Sequence, residues 1–238
     1  MNREAKDRII VALDVQTFDD AAKMIDLLSD EVEIFKVGMA PFTGFGEKIL
    51  KKLEDMKKKV FLDLKFHDIP NTVKETVKHA VRKKVFMLNV HCLGGLDMMK
   101  AAAEGAKEAA RAGKTTPPIL LGVTILTSMD RAAMNEAGIA GSPSERALAL
   151  ACLADRAGLN GVVASAKEAR AIKEKLGKRF IVITPGIRPD WAASNDQKRT
   201  LTPKEAISAG ADYIVVGRPV IHAKDPTEAV RKIREEMV

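Results

Sequence analysis

Three short apolar runs in the first third of the chain carry charged residues where buried strands ordinarily carry none. In Val60-Phe61-Leu62-Asp63-Leu64-Lys65-Phe66, alternate side chains point to opposite faces. Leu62, Leu64 and Phe66 share one face, and Phe61, Asp63 and Lys65 share the other. Lys36 interrupts Ile34-Phe35-Lys36-Val37-Gly38, and Asp14 closes the run from Ile9 on the face of Ile10 and Ala12. Asp68 follows three residues after Lys65, in a loop. In a strand covered on both faces, ionised groups are costly unless they are paired. A purely structural ion-pair network is one reading, yet replacing such a network by hydrophobic residues is often neutral or stabilising. Charges retained at strand ends are better explained by chemistry. Carboxylates alternating with lysines favour the protonated lysines. A cationic lysine can hand a proton to carbon or stabilise a carbanion forming beside it.

A second set of residues suits an anion. In Val216-Gly217-Arg218-Pro219, glycine lets the backbone approach closely, arginine offers a two-pronged donor, and proline is placed to open a short helix. Thr184-Pro185-Gly186-Ile187-Arg188 brings another arginine to the end of the preceding apolar run. An ordinary strand-to-helix turn is the plain reading of Gly217-Arg218 alone, and Arg188 beside it favours a phosphate grip.

The elements that must position these groups alternate along the whole chain. Strands are expected near residues 8–15, 34–39, 60–66, 87–92, 119–126, 161–165, 180–185 and 213–218. Helices are expected near 18–29, 41–52, 72–84, 97–112, 143–157, 166–176, 203–209 and 226–237. This repetition predicts an α/β fold, a closed parallel (β/α)8 TIM barrel, over residues 1–238 as a single domain. An open doubly wound sheet is the alternative, and the first strand-to-helix turn lacks the GxGxxG such sheets use for dinucleotides. Ser142-Pro143-Ser144-Glu145, Thr202-Pro203-Lys204-Glu205 and Asp225-Pro226-Thr227-Glu228 share one helix start: a capping oxygen, a proline, and a glutamate reaching back. Two long connections, 128–141 and 187–201, follow strand ends on the face where barrels place their sites.

Composition limits the alternatives. The net charge is +7, but acidic residues are interleaved with the basic ones, and the run Lys51 to Lys59 reads as a solvated helix end. Aromatic residues make up only 4% of the chain, too few for stacking on single-stranded nucleic acid, so a small anion is the better partner for this field. Cys92 and Cys152 form neither a CxxC pair nor a disulfide framework, and they read as small buried hydrophobes in a reduced, cytoplasmic compartment. No leader or membrane-spanning apolar run is read. The four histidines lack HxH or HxxxH spacing, so no metal site is expected. His91 is assigned a structural hydrogen-bonding role at the barrel mouth, and the methionines are taken as core filler.

Asp63-Leu64-Lys65-Phe66-His67-Asp68-Ile69-Pro70-Asn71-Thr72 resembles the DxKxxDIPxT signature of the orotidine 5'-phosphate decarboxylase family. Weaker matches follow in the family's order, from Asp14 and Lys36 through Thr127-Ser128, Pro185 and Arg188, and Gln197 to Gly217-Arg218. The resemblance implies cofactor-free conversion of orotidine 5'-monophosphate to UMP. Lys65 would be the proton donor to C6, with Asp63 beside the departing carboxylate and Lys36 and Asp68 completing the charged network. Asp14 and Lys36 would also meet the ribose hydroxyls, and Thr127 and Ser128 the pyrimidine edge. Gln197 would bridge toward the phosphate held by Arg188, Gly217 and Arg218. It further implies a homodimer in which Asp68 and Thr72 serve the neighbouring site. The nearest rival is a magnesium-dependent sugar-phosphate decarboxylase or synthase, which shares DxKxxD but lacks the Ile-Pro-Asn-Thr that follows here. A basic nucleic-acid-binding protein is a remote second.

Overall fold

A computed structural model describes residues 5–192 and 201–237. Apolar runs form eight parallel strands: β1 (Ile9–Ala12), β2 (Ile34–Gly38), β3 (Lys59–Phe66), β4 (Met87–His91), β5 (Ile119–Val123), β6 (Gly161–Val163), β7 (Ile181–Thr184) and β8 (Tyr213–Val216). They hydrogen-bond in sequence order, and β8 pairs with β1 through Ile9↔Ile214, Ile10↔Val215 and Val11↔Val216, so the sheet is a closed barrel. The expected TIM barrel is the fold observed. β5 ends at Val123 and β1 at Ala12, though Thr124 and Leu13 still donate to Val163 O and Lys36 O, and Asp14 and residues 125–128 beyond them line the mouth.

The period of two divides the apolar side chains between two cores. Ile10, Ile34, Phe61, Leu121, Tyr213 and Val215 fill the barrel interior. Val11, Phe35, Leu62, Leu88 and Val182 face outward into a larger core beneath the helices. Each such buried side chain contributes about 1.5–3 kcal/mol, so a register slip that exchanged the faces would be strongly disfavoured.

The helices are α1 (Phe18–Leu28), α2 (Met39–Phe45), α3 (Glu47–Asp55), α4 (Pro70–Arg82), α5 (Gly95–Ala112), α6 (Arg131–Glu136), α7 (Pro143–Arg156), α8 (Ala166–Leu176), α9 (Pro203–Ser208), α10 (Arg218–Ile221) and α11 (Pro226–Glu236). The single helix expected over 41–52 is two helices. Gly46, at φ 56° and ψ −137°, takes a conformation no helix continues through, and its N–H caps Phe42. The connection 128–141 is not free of structure, because Asp130 accepts from the Ala133 N–H and starts α6. Ser142 and Thr202 form reciprocal capping boxes with Glu145 and Glu205. At Asp225 the cap forms, but the Glu228 carboxylate lies 3.8 Å from Lys232 rather than completing the expected return bond. Met39 is 57% exposed, and Cys152 is half-buried, so neither belongs to the core as expected.

Two local features prepare the site. In β3, Leu62 pairs with Leu88 and Phe66 with Val90, so four steps on β3 face two on β4 and the strand bulges between them. At the opposite, amino-terminal end, the Arg8 guanidinium donates to the carbonyls of Asp212 (3.1 Å) and Ala211 (2.7 Å), fastening the start of β1 to the start of β8. Lys173 meets Asp212 Oδ2 at 2.6 Å, and that oxygen also accepts from the Val182 N–H. Among the described residues, no helix is long and apolar enough to cross a membrane.

Candidate active site

The barrel opens at the carboxyl ends of its strands into a cavity of about 490 Å³. Asp14, Lys36, Asp63, Lys65, Thr127, Ser128, Pro185, Arg188, Gly217 and Arg218 all line it, as expected from sequence. Asp68 and Thr72 are exposed and do not line it within one chain. Gln197 lies outside the described residues.

At one end stands a chain of alternating charges. Lys36 Nζ lies 3.6 Å from Asp14 Oδ1 and 3.2 Å from Asp63 Oδ2, and Lys65 Nζ donates to Asp63 Oδ1 at 2.8 Å. Strand alternation brings these groups inward: Lys36 follows interior Ile34 by two positions, and Asp63 follows interior Phe61 by two. Gly38 leaves the space they use, because a Cβ there would stand 3.0 Å from Lys36 Nζ. Asp63 is 8% exposed. Burial pushes its carboxyl upward, but the Lys36 and Lys65 charges and hydrogen bonds from Lys65 and Asn89 outweigh that and hold it below the usual carboxylate value. The arrangement keeps a buried anion beside two ammonium groups, which suits proton delivery and electrostatic stabilisation.

Asn89 is the residue that sequence reading passed over. It is fully buried in β4, donates from Nδ2 to Asp63 Oδ1 at 2.7 Å, and accepts at Oδ1 from the Lys65 backbone N–H at 2.8 Å. The available signal was a lone amide at an interior position of Met87-Leu88-Asn89-Val90-His91, where an unpartnered polar group would be penalised.

The last two strands build the part of the cavity that adjoins Asp14, since a Cβ on Gly217 would stand 3.7 Å from Asp14 Oδ2. Gly186, at φ 76°, makes a left-handed turn after β7 that glycine adopts readily. Arg188 follows, its backbone N–H donating to Leu201 O at 3.0 Å and its Nη1 to Ile187 O at 2.9 Å. Gly217 precedes α10, which starts with Arg218-Pro219. Val123, Ile125, Val163 and Val215 give the cavity an apolar lining. His222 also lines the cavity, which the sequence did not suggest. His91 makes a hydrogen bond of the structural kind expected but does not line the cavity: Nδ1 accepts from the Leu93 N–H at 3.3 Å, and the ring stacks on His67 with centroids 5.3 Å apart. The Cys92 thiol, buried beneath, is pushed up to about 12.

Known proteins share both sequence and shape with this chain. The model of the family described as "Orotidine 5'-phosphate decarboxylase / HUMPS family" matches residues 7–233. An orotidine 5'-phosphate decarboxylase of Syntrophotalea carbinolica is 47% identical over 98% of this chain and 96% of that protein. One from Nitrosococcus oceani is 47% identical over 98% of each. The crystal structure of orotidine 5'-phosphate decarboxylase from Lactobacillus acidophilus superposes with a TM-score of 0.83 at 38% identity, covering 97% of this chain and 99% of that one.

Proposed function

The chain belongs to the orotidine 5'-phosphate decarboxylase / HUMPS family, and from that premise we propose that it converts orotidine 5'-monophosphate to UMP and carbon dioxide. It is a carboxy-lyase of pyrimidine biosynthesis. The observation that carries the reading is the continuous series Asp14, Lys36, Asp63, Lys65 in a cavity that Arg188 and Arg218 also line.

Each end of the substrate then has its partner. The arginines and Gly217 hold the phosphate, Asp14 and Lys36 the ribose hydroxyls, and Thr127, Ser128 and Pro185 border the pyrimidine. The family resemblance also assigns Gln197 to the phosphate. When the C6–carboxylate bond breaks, its electron pair stays on C6 and carbon dioxide departs past Asp63. Lys65 stabilises that pair and transfers a proton from Nζ to C6, and solvent then reprotonates the amine. Because the Lys65 charge stabilises the pair while it forms and then protonates it, the proposed step uses no electron sink, metal or other cofactor. Phosphate contacts remote from C6 supply binding energy that holds the charged end in place.

The catalytic unit is one domain, residues 1–238, working as a homodimer in the cytoplasm without nucleic acid or membrane. Met39, Ile69, Leu93 and Leu126 are large exposed apolar residues that follow β2, β3, β4 and β5, four neighbouring strands, and they support a partner on that side of the mouth. Asp68 and Thr72 are exposed in the same region, after β3 and in the first turn of α4, which favours their serving the partner's site. The test is loss of orotidine 5'-monophosphate absorbance with purified protein in EDTA. Turnover under those conditions supports the reading. Turnover only of a sugar phosphate, and only with magnesium restored, would replace it with the rival chemistry of the same barrel type.

A further inference from the structure

We infer that Asn89 is a positioning residue for this reaction: its side-chain amide spans the bulge of β3 and sets both Asp63 and Lys65 in their working geometry. Across the bulge, β3 and β4 lose their regular ladder between Leu62↔Leu88 and Phe66↔Val90, and Lys65 sits at φ 50°, a left-handed conformation unfavourable for lysine. The Asn89 side chain takes over what the ladder leaves. Its Oδ1 accepts from the Lys65 N–H at 2.8 Å and its Nδ2 donates to Asp63 Oδ1 at 2.7 Å. The amide can stand only this way round, because a backbone N–H only donates and a carboxylate only accepts. One buried group thereby fixes the backbone of the proton donor and the carboxylate that pairs with it.

The inference rests on the proposed decarboxylation, and its test separates the two. Asn89→Ala removes both bonds. The expected result is a fall in kcat on the order of 10²-fold with UMP affinity nearly unchanged, since a small misplacement of a reacting group costs about that much. Asn89→Asp supplies a readout that a merely structural role would not move. Ionised, it opposes Asp63. Protonated, it offers an O–H to Asp63 and a carbonyl to the Lys65 N–H, as asparagine does. The charged groups around position 89 are Asp63 and Lys65 of β3 and Lys36 of β2 beyond Asp63; the titratable His91 on β4 itself stays neutral from pH 8 to pH 5, and the paired residue of β5 is apolar Leu121. Two neighbouring carboxylates raise one proton affinity, so kcat of Asn89→Asp relative to the parent should rise on the order of tenfold from pH 8 to pH 5. A ratio flat with pH overturns the inference, including where Asn89→Ala fails to fold. So does Asn89→Ala with kcat within about threefold of the parent, or with kcat and UMP affinity lost together. An unsubstituted chain that does not turn over orotidine 5'-monophosphate defeats the functional reading and the inference with it.

Discussion

Lys65 and Lys36 hold opposite oxygens of one carboxylate, at 2.8 and 3.2 Å, so each lysine has a fixed place before any substrate arrives. If Lys65 delivers the proton, Lys65→Ala should abolish turnover while calorimetry still detects UMP binding through the arginines. Near-normal turnover would remove Lys65 from that role. Arg218→Ala should lower kcat/KM on the order of 10²–10⁴-fold, and an unchanged value would place the phosphate elsewhere. These side chains were legible because charge inside a buried strand is rare enough to be noticed in sequence. Asn89 was not, because a neutral amide raises no such alarm and its partners lie on another strand. His222 was missed for a similar reason, since nothing in its neighbours' types marks it as facing the cavity.

At the scale of elements, the bulge in β3 encloses Lys65, yet the alternating reading is back on the correct face at Phe66. Four steps against two inserts an even number of residues, so the inward and outward faces return to phase after the irregularity. The strands and their faces were therefore readable, whereas the break at Gly46 was not, because Gly44-Phe45-Gly46 lies within an apolar pattern that a continuous helix would also produce. The loops after β3 and β4 meet through the His67–His91 stack. Burial, then the charges of His67 and Lys65, lower His91 from 6.5 to about 4. Between those values the unfolded chain binds a proton that the folded chain refuses, so this contribution is complete above pH 6.5 and is lost as pH falls toward 4. Denaturant unfolding should show about 1–2 kcal/mol more loss over that range than the His91→Asn variant shows, after allowing for solvent screening. Equal slopes for the two proteins would contradict it.

At the scale of the molecule, the proposed dimer draws on the exposed apolar residues after β2 to β5 and on Asp68, which does not line the cavity of its own chain. Coexpressing Lys65→Ala with Asp68→Ala should restore activity, because mixed dimers hold one intact site, and random pairing puts about a quarter of all sites in that state. Sedimentation checks the dimer, and mixed protein no more active than either variant alone would show that each chain works with its own residues. The barrel that carries these sites is a ring, and its seam joins Arg8 to the backbone of Asp212, 204 positions further along. During synthesis the first strand must therefore wait, one edge bare, until the eighth has left the ribosome. Every chaperone encounter and every truncated product before that moment meets an open sheet, so the hazard of misassembly is concentrated in translation and ends when the last strand docks.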